Sequence, residues 1–240
     1  MAPRQRQKPN ELNYRLKLGL FVLCGVTVLF ASDTAYQALN TLSRLNSIEA
    51  ERDQWQRPAD VIQALDIQPG NIVVDLGCGS GYFTLRLSPA VGGNGKVLAE
   101  DIRRLPLVFL WMRTFQRRLH NVRIIHGHPD DPQLPANGVN AILIANTYHE
   151  FTDSQAILAH VVRALVSGGQ LVVIDREPRP AGSGGAGTPA DEHEISDQQV
   201  ESELIHAGLE IISRQDNFIL TDPYGETWWL ITARKAESNR

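Results

Sequence analysis

Between Ile72 and Asp175 the chain alternates short apolar runs with longer mixed stretches. Five runs have the length and branched side chains of buried strands: Ile72–Leu76, Lys96–Glu100, Val122–His126, Val139–Ala145 and Gln170–Asp175. The stretches between them predict helices over Gly81–Val91, about Leu105–His120 and Ser154–Val166, with Pro106 tolerated in a first turn. Gly92-Gly93-Asn94-Gly95 and Gly168-Gly169 are the breakers that let the next strand begin. Strand and helix in regular alternation predict an α/β fold, a parallel sheet with crossover helices on both faces. Ahead of it, residues 37–57 read as a polar connector and Ala59–Leu65 as a short helix closed by Pro69-Gly70. Beyond it, residues 178–190 are almost entirely Pro, Gly, Ala, Ser and Thr, which predicts a loop beside the ligand edge of the sheet. Ser196-Asp197-Gln198-Gln199 has the form of a capping box opening a last helix to Ala207, and Leu209–Arg214 and Thr227–Thr232 fit two closing strands.

Two apolar segments do not fit this scheme. A crossover helix should carry one apolar stripe, yet Leu105 to Met112 is apolar all round and is followed by Arg113, Arg117 and Arg118. Such a helix is covered on both sides, by the N-terminal segment or by a second subunit in a homodimer, or it lies against lipid with its arginines at headgroup level. The second segment is Leu18 to Ser32, fifteen residues without a charge, behind Arg4, Arg6, Lys8, Arg15 and Lys17. A bilayer takes about 20 apolar residues to span. The run is short, but Lys17 can snorkel and Ala35-Tyr36 can extend it. An uncleaved membrane anchor is the preferred reading; a signal peptide, for which no convincing A-x-A site follows, and a packed soluble helix are the others. The chain thus divides into 1–36, a basic N-terminus with a hydrophobic helix, the connector 37–57, and a folded domain over 58–235.

The 240 residues hold one α/β domain of ordinary size plus this extension, and a net charge of −4 gives no drive toward nucleic acid. There are two cysteines, Cys24 and Cys78, in an apolar run and a glycine loop, so a disulfide between them is not expected. No C-x-x-C or H-E-x-x-H spacing suggests a metal.

The chemistry concentrates where the first strand meets its helix: Asp75-Leu76-Gly77-Cys78-Gly79-Ser80-Gly81. Glycines at a strand-to-helix turn let a ligand lie against bare backbone. The spacing G-x-G-x-G differs from the dinucleotide spacing G-x-G-x-x-G, which argues against a nicotinamide-dependent oxidoreductase. Ligands of an open parallel sheet bind beyond the carboxyl ends of its strands. There the second strand ends in Glu100-Asp101, the third leads into Gly127-His128-Pro129-Asp130-Asp131, and the fourth into Asn146-Thr147-Tyr148-His149-Glu150-Phe151. His149 has the chemistry of a general base, and Tyr148 that of a surface on which a substrate stacks.

D-x-G-x-G-x-G resembles the first motif of the Rossmann-like, class I S-adenosylmethionine-dependent methyltransferases. Trp55-Gln56-Arg57-Pro58, the run Asp75 to Thr84 and His193-Glu194-Ile195-Ser196 make the chain similar to bacterial methyltransferases of the type 11 or type 12 domain, over about residues 51–232. The resemblance implies a seven-stranded, mostly parallel sheet whose last strand inserts antiparallel. It implies S-adenosylmethionine as cofactor, received by Asp75, Gly77, Cys78, Gly79, Gly81 and Asn146. By it, Asp101 takes the ribose hydroxyls, with Glu100 as the fallback, and Asp130, in preference to Asp131, takes the adenine amino group. It leaves the acceptor open; with the two apolar segments, a small-molecule and lipid-like acceptor is expected. Trp55 and Pro58 read either as a lip over the cofactor or as a packing anchor, and His193 either as entering the acceptor pocket or as a surface residue. A membrane-tethered protein that binds the cofactor without catalysis is the alternative. The basic N-flank predicts the N-terminus inside and the domain outside, whereas a cytosolic cofactor requires a cytosolic domain. Membrane association with a cytosolic domain is the expectation, and export after signal-peptide cleavage the alternative.

Overall fold

Branched and aromatic residues alternate between the two faces of each central strand, and both faces are covered. The computed structural model describes residues 35–178 and 195–237. Residues 49–240 form one compact unit and residues 1–48 another; of the latter, residues 35–48 are described and are helical, within helix α1 at 35–52. The remaining order is α2 (Pro58–Ala64), β1 (Ile72–Leu76), α3 (Thr84–Val91), β2 (Lys96–Asp101), α4 (Arg104–Gln116), β3 (Val122–His126), β4 (Val139–Ala145), the 3-10 turn η1 (Tyr148–Glu150), α5 (Ser154–Ala164), β5 (Leu165–Arg176), α6 (Asp197–His206), β6 (Leu209–Ile219) and β7 (Trp228–Lys235). The seven strands lie in the order β3-β2-β1-β4-β5-β7-β6. The first five are parallel to their neighbours, and β7 enters antiparallel between β5 and β6.

Period-two alternation explains why the strands read as continuous apolar runs. Val74, Ile142, Ile144, Leu171 and Val173 face a core shared with Ile157, Leu158 and Val161 of α5 and with Val200 and Leu204 of α6. Their neighbours Val73, Ala141, Leu143, Val172 and Ile174 face the other core, under Val61 of α2 and Leu87 and Val91 of α3. The strand order reverses between β1 and β4, and the loops after β1, β2, β3 and β4 open on that edge.

Several expectations change in detail. β5 begins at Leu165, because the backbone after Ala164 is extended and Leu165 pairs with Val139. β6 runs on to Ile219, because β7 offers it a partner across both register shifts. Only the N-cap half of the capping box forms: Ser196 Oγ accepts from the Gln199 amide at 3.2 Å, while the Gln199 side chain donates to Glu203 at 3.0 Å. Helix α4 is covered on one side only: Leu107 and Leu110 are buried, while Leu105, Val108, Trp111 and Phe115 are exposed along the other. Trp111 and Phe115 stack there with centroids 6.1 Å apart, and Arg103, Arg104, Arg117 and Arg118 are exposed at the helix ends. No helix among the described residues is long and apolar enough to cross a membrane; Leu18–Ser32 lies outside them.

Candidate active site

The glycine loop folds back onto the end of β2. The amides of Gly77 and Cys78 both donate to the Glu100 carbonyl, at 2.9 and 2.8 Å, and the Gly79 amide donates to Asp101 Oδ2 at 2.8 Å. Gly77, Gly79 and Gly81 all have positive φ, at 74°, 54° and 95°, where a side chain is strained. Their surroundings differ. A Cβ on Gly77 would collide with the Thr147 side chain at 2.2 Å and one on Gly81 with Leu110 Cδ1 at 2.4 Å, whereas Gly79 has nothing within 4 Å. Gly79 therefore borders open space, while Gly77 and Gly81 are required by the protein's own packing.

Beside the loop, walled by Gly77 and not by Gly79, a cleft of about 540 Å³ opens to solvent. Its walls are Leu76 and Gly77 after β1, Glu100 to Arg103 after β2, His128, Pro129 and Pro132 after β3, and Thr147 and Glu150 to Thr152 after β4, with Ile157 of α5 behind. Asp101 is buried, and its Oδ1 also accepts from the Arg103 amide at 2.7 Å. Two further acids lie close by. Burial pushes the Asp75 carboxyl up to about 6, although the Thr84 hydroxyl donates to it. Burial likewise pushes Glu100 up to about 8, helped by the neighbouring Asp101 and Asp75. Asp75 thus braces the strand against α3 instead of lining the cavity. Cys78 is buried beneath the loop, its thiol held well above its ordinary value by burial and the acids.

Asn146 stands in the left-handed region at φ 54°, and its Oδ1 is buried without a hydrogen-bond partner among the described residues. Asp130 does not enter the cavity. His128 and Asp131 exchange backbone hydrogen bonds at 2.8 and 3.2 Å, which leaves Asp130 exposed at a turn while His128 and Pro129 form the wall. Tyr148 is not a stacking surface. It is 1% exposed, packs in the α5–α6 core, and donates its hydroxyl to Glu203 at 2.7 Å. The single helical turn η1 buries Tyr148 and turns the next residue, His149, back toward β5.

There His149 Nδ1 sits 2.9 and 3.0 Å from the two oxygens of Asp175, a buried carboxylate near the end of β5. Its Nε2 lies 3.2 Å from Arg176 Nη2. A guanidinium only donates, so Nε2 accepts and the ring proton resides on Nδ1, facing Asp175. Burial by itself would lower the imidazole's pKa, but the Asp175 hydrogen bond and charge outweigh it and hold the value above the ordinary one. Sequence reasoning missed Asp175 and Arg176, although both stand at the carboxyl end of a strand, where the same rule that selected Asp101 applies. It also missed Arg113, which donates to the Ser80 carbonyl in the loop at 2.7 Å and pairs with Glu49. Trp55 packs against Trp228 at 5.7 Å as an anchor, and Pro58 opens α2. His193 lies outside the described residues.

No group of acids, histidines and cysteines among the described residues is arranged to hold a metal. The arrangement suits S-adenosylmethionine: bare backbone at Gly79, a carboxylate for vicinal hydroxyls at Asp101, flat apolar walls for a base, and acids near a positive sulfonium. A family model described as a methyltransferase domain matches residues 73–169. Among curated proteins, the demethylmenaquinone methyltransferase of Geobacillus stearothermophilus is 29% identical over 132 residues, 55% of this chain and 56% of that protein. That of Listeria monocytogenes serotype 4a is 26% identical over the same shares. The chain thus spans about half the length of the curated relatives it matches. In solved structures, an S-adenosylmethionine-dependent methyltransferase from Aquifex aeolicus superposes with a TM-score of 0.66 at 24% identity, over 80% of this chain and 97% of that one. The geranyl diphosphate C-methyltransferase of Streptomyces coelicolor, solved with geranyl diphosphate and S-adenosylhomocysteine, gives 0.64 at 17% identity, over 75% and 80%. Fold and match together define the class: the chain has the Rossmann-like fold of class I methyltransferases, and its residues 73–169 match a methyltransferase domain. Neither the family model nor these relatives is an oxidoreductase.

Proposed function

We propose that this protein is an S-adenosylmethionine-dependent methyltransferase acting on a small, lipophilic acceptor at a membrane surface. The observation that carries the cofactor is the glycine loop beside the cavity: nothing lies within 4 Å of a Cβ on Gly79, and its amide is tied to Asp101, a residue of the cavity wall. Support for the acceptor comes from the relatives named for demethylmenaquinone. The exposed side of α4, with its flanking arginines, and the uncharged run Leu18–Ser32 favour a surface of anionic lipid. The domain lies on the cytosolic side in this reading.

Bound S-adenosylmethionine supplies a methyl group already activated by the sulfonium charge. The chain's task is to align the acceptor, exclude water and take up a proton where the acceptor releases one. His149 serves as that base through Nε2, with Asp175 fixing its tautomer and Arg176 retained by Glu226, 3.3 Å away, when the acceptor takes its place. Only neutral imidazole accepts a proton, so turnover rises with pH through the raised His149 value and is flat above it. Asp175→Asn is expected to shift that limb to lower pH, and His149→Gln to abolish it and lower kcat by about 10²-fold or more. The pair's contribution to stability has the opposite sense. It is fully present below the ordinary histidine value and is lost as pH rises through the folded one. Rate profiles and thermal unfolding against pH check both.

The activity itself is tested with isotopically labelled S-adenosylmethionine and demethylmenaquinone in anionic vesicles. Label is expected in the lipid phase, and less of it with Trp111→Ser/Phe115→Ser at unchanged cofactor affinity. Cofactor binding without transfer to this acceptor or to any component of a membrane extract would replace this reading with the non-catalytic one.

A further inference from the structure

Glu100 and Asp101 are neighbours on β2 and so face opposite sides of the sheet. Asp101 faces the glycine loop, while Glu100 follows Leu98 onto the α5 side. The Glu100 side chain is 3% exposed and lines the cavity, yet its Oε1 has no hydrogen-bond partner among the described residues. It is packed so closely that a Cβ on Gly127 would stand 2.0 Å from it. A buried polar atom without a partner is costly, and in a ligand cavity its partner is a group of the ligand. The walls beside it, Ile102, Pro129, Thr147 and Phe151, are suited to a flat aromatic ring.

We propose that Glu100 reads the base of the cofactor, its carboxyl hydroxyl donating to adenine N1 while its carbonyl oxygen accepts from the 6-amino group. The proposal rests on the cofactor reading above and adds to it the residue that recognises adenine. A neutral carboxyl presents one donor beside one acceptor, the complement of the N1 and amino edge; a carboxylate presents acceptors only, one of which would oppose the N1 lone pair. The surroundings keep the proton on. Burial is the main cause and lifts the group to about 8; Asp101 on the same strand and Asp75 on β1 add to it, and the Gly77 amide opposes it. Glu150 of η1, His128 after β3 and Arg103 after β2 are the other titratable or charged groups on the cavity wall. At neutral pH the carboxyl is therefore mostly protonated.

The test uses 5′-methylthioadenosine, which keeps adenine and ribose but has no titrating amino acid group. Its affinity for the full-length protein is measured by calorimetry from pH 6.5 to 9.5. In the wild type, affinity is expected to hold steady to about pH 8 and then fall about tenfold per pH unit. Glu100→Gln, an amide with the same donor and acceptor, is expected to bind with similar affinity and without that fall. Glu100→Leu is expected to bind more than about tenfold more weakly, the loss of one good hydrogen-bonded contact. Wild-type affinity that is flat in pH, an unchanged fall in Glu100→Gln, or undiminished binding by Glu100→Leu each overturns the proposal. If the wild type binds neither methylthioadenosine nor S-adenosylmethionine at any pH, the cofactor reading itself falls and takes the proposal with it.

Discussion

Gly79→Val is expected to give a folded domain that no longer binds S-adenosylmethionine, whereas Gly81→Val is expected to fold poorly. Both glycines have positive φ, which costs a side chain about 1–2 kcal/mol. At Gly79 nothing lies within 4 Å of the added Cβ, so backbone strain is the main cost to the protein. The branched side chain instead fills the space left for the ligand. At Gly81 the added carbon meets Leu110, which is fully buried among Leu85, Ala99 and Leu107, so overpacking adds roughly 1–3 kcal/mol to the backbone strain. Thermal unfolding and calorimetric titration of the two variants separate these effects. Near-native affinity in a folded Gly79→Val protein would remove this loop from the site, and equal destabilisation of both variants would refute the packing argument.

The largest effect on stability is expected at Arg113. It is 1% exposed, and its guanidinium meets both carboxylate oxygens of Glu49, at 2.6 and 2.5 Å, and the Ser80 carbonyl at 2.7 Å. Breaking a buried pair from one side leaves the other charge without compensation, at a cost of about 3–5 kcal/mol. Arg86 lies 3.8 Å from Glu49 and offsets part of that loss, so Arg113→Met is expected near the lower end. At roughly 2–4 °C per kcal/mol for a domain of this size, the melting temperature falls by about 6–12 °C. Removing both charges, in Glu49→Leu/Arg113→Met, is expected to recover part of the loss, because no charge is then stranded. A double variant no more stable than Arg113→Met would mean that the Ser80 contact, and not the pair, carries the energy. The neighbouring Asp53 holds Arg86 at 2.6 Å and Tyr82 at 2.8 Å, so residues 49–53 are fastened to the start of α3 directly behind the glycine loop. A chain shortened to begin at Pro58 loses both attachments.

Much of this molecule is written in local pattern. β1 and β4 begin and end where their apolar runs do, because a strand covered on both faces needs a nearly continuous apolar run. The glycine loop is equally legible, since its positive φ angles demand glycine at positions that can be counted along the chain. So is Asp101, by its place at the end of a strand. What periodicity cannot express is which side of an element is covered, and by what. Leu105 to Met112 reads as apolar all round, yet packing buries Leu107 and Leu110 and leaves Trp111 in solvent. Tyr148 and His149 are neighbours of similar chemical promise. One turn of 3-10 helix sends the first into the core against Glu203 and the second onto Asp175, a residue 26 positions away, and no local signal distinguishes them. Asp130 and Glu100 depart from what their places in the chain suggest for the same reason. A turn at His128–Asp131 leaves the first exposed, while the strand's alternation carries the second into a cavity that exists only once α5 is packed behind it. Backbone conformation and strand order follow from short-range sterics and apolar runs, which lie along the chain. Burial, pairing and the protonation of buried acids depend on groups brought together from distant positions, and only the folded structure determines them.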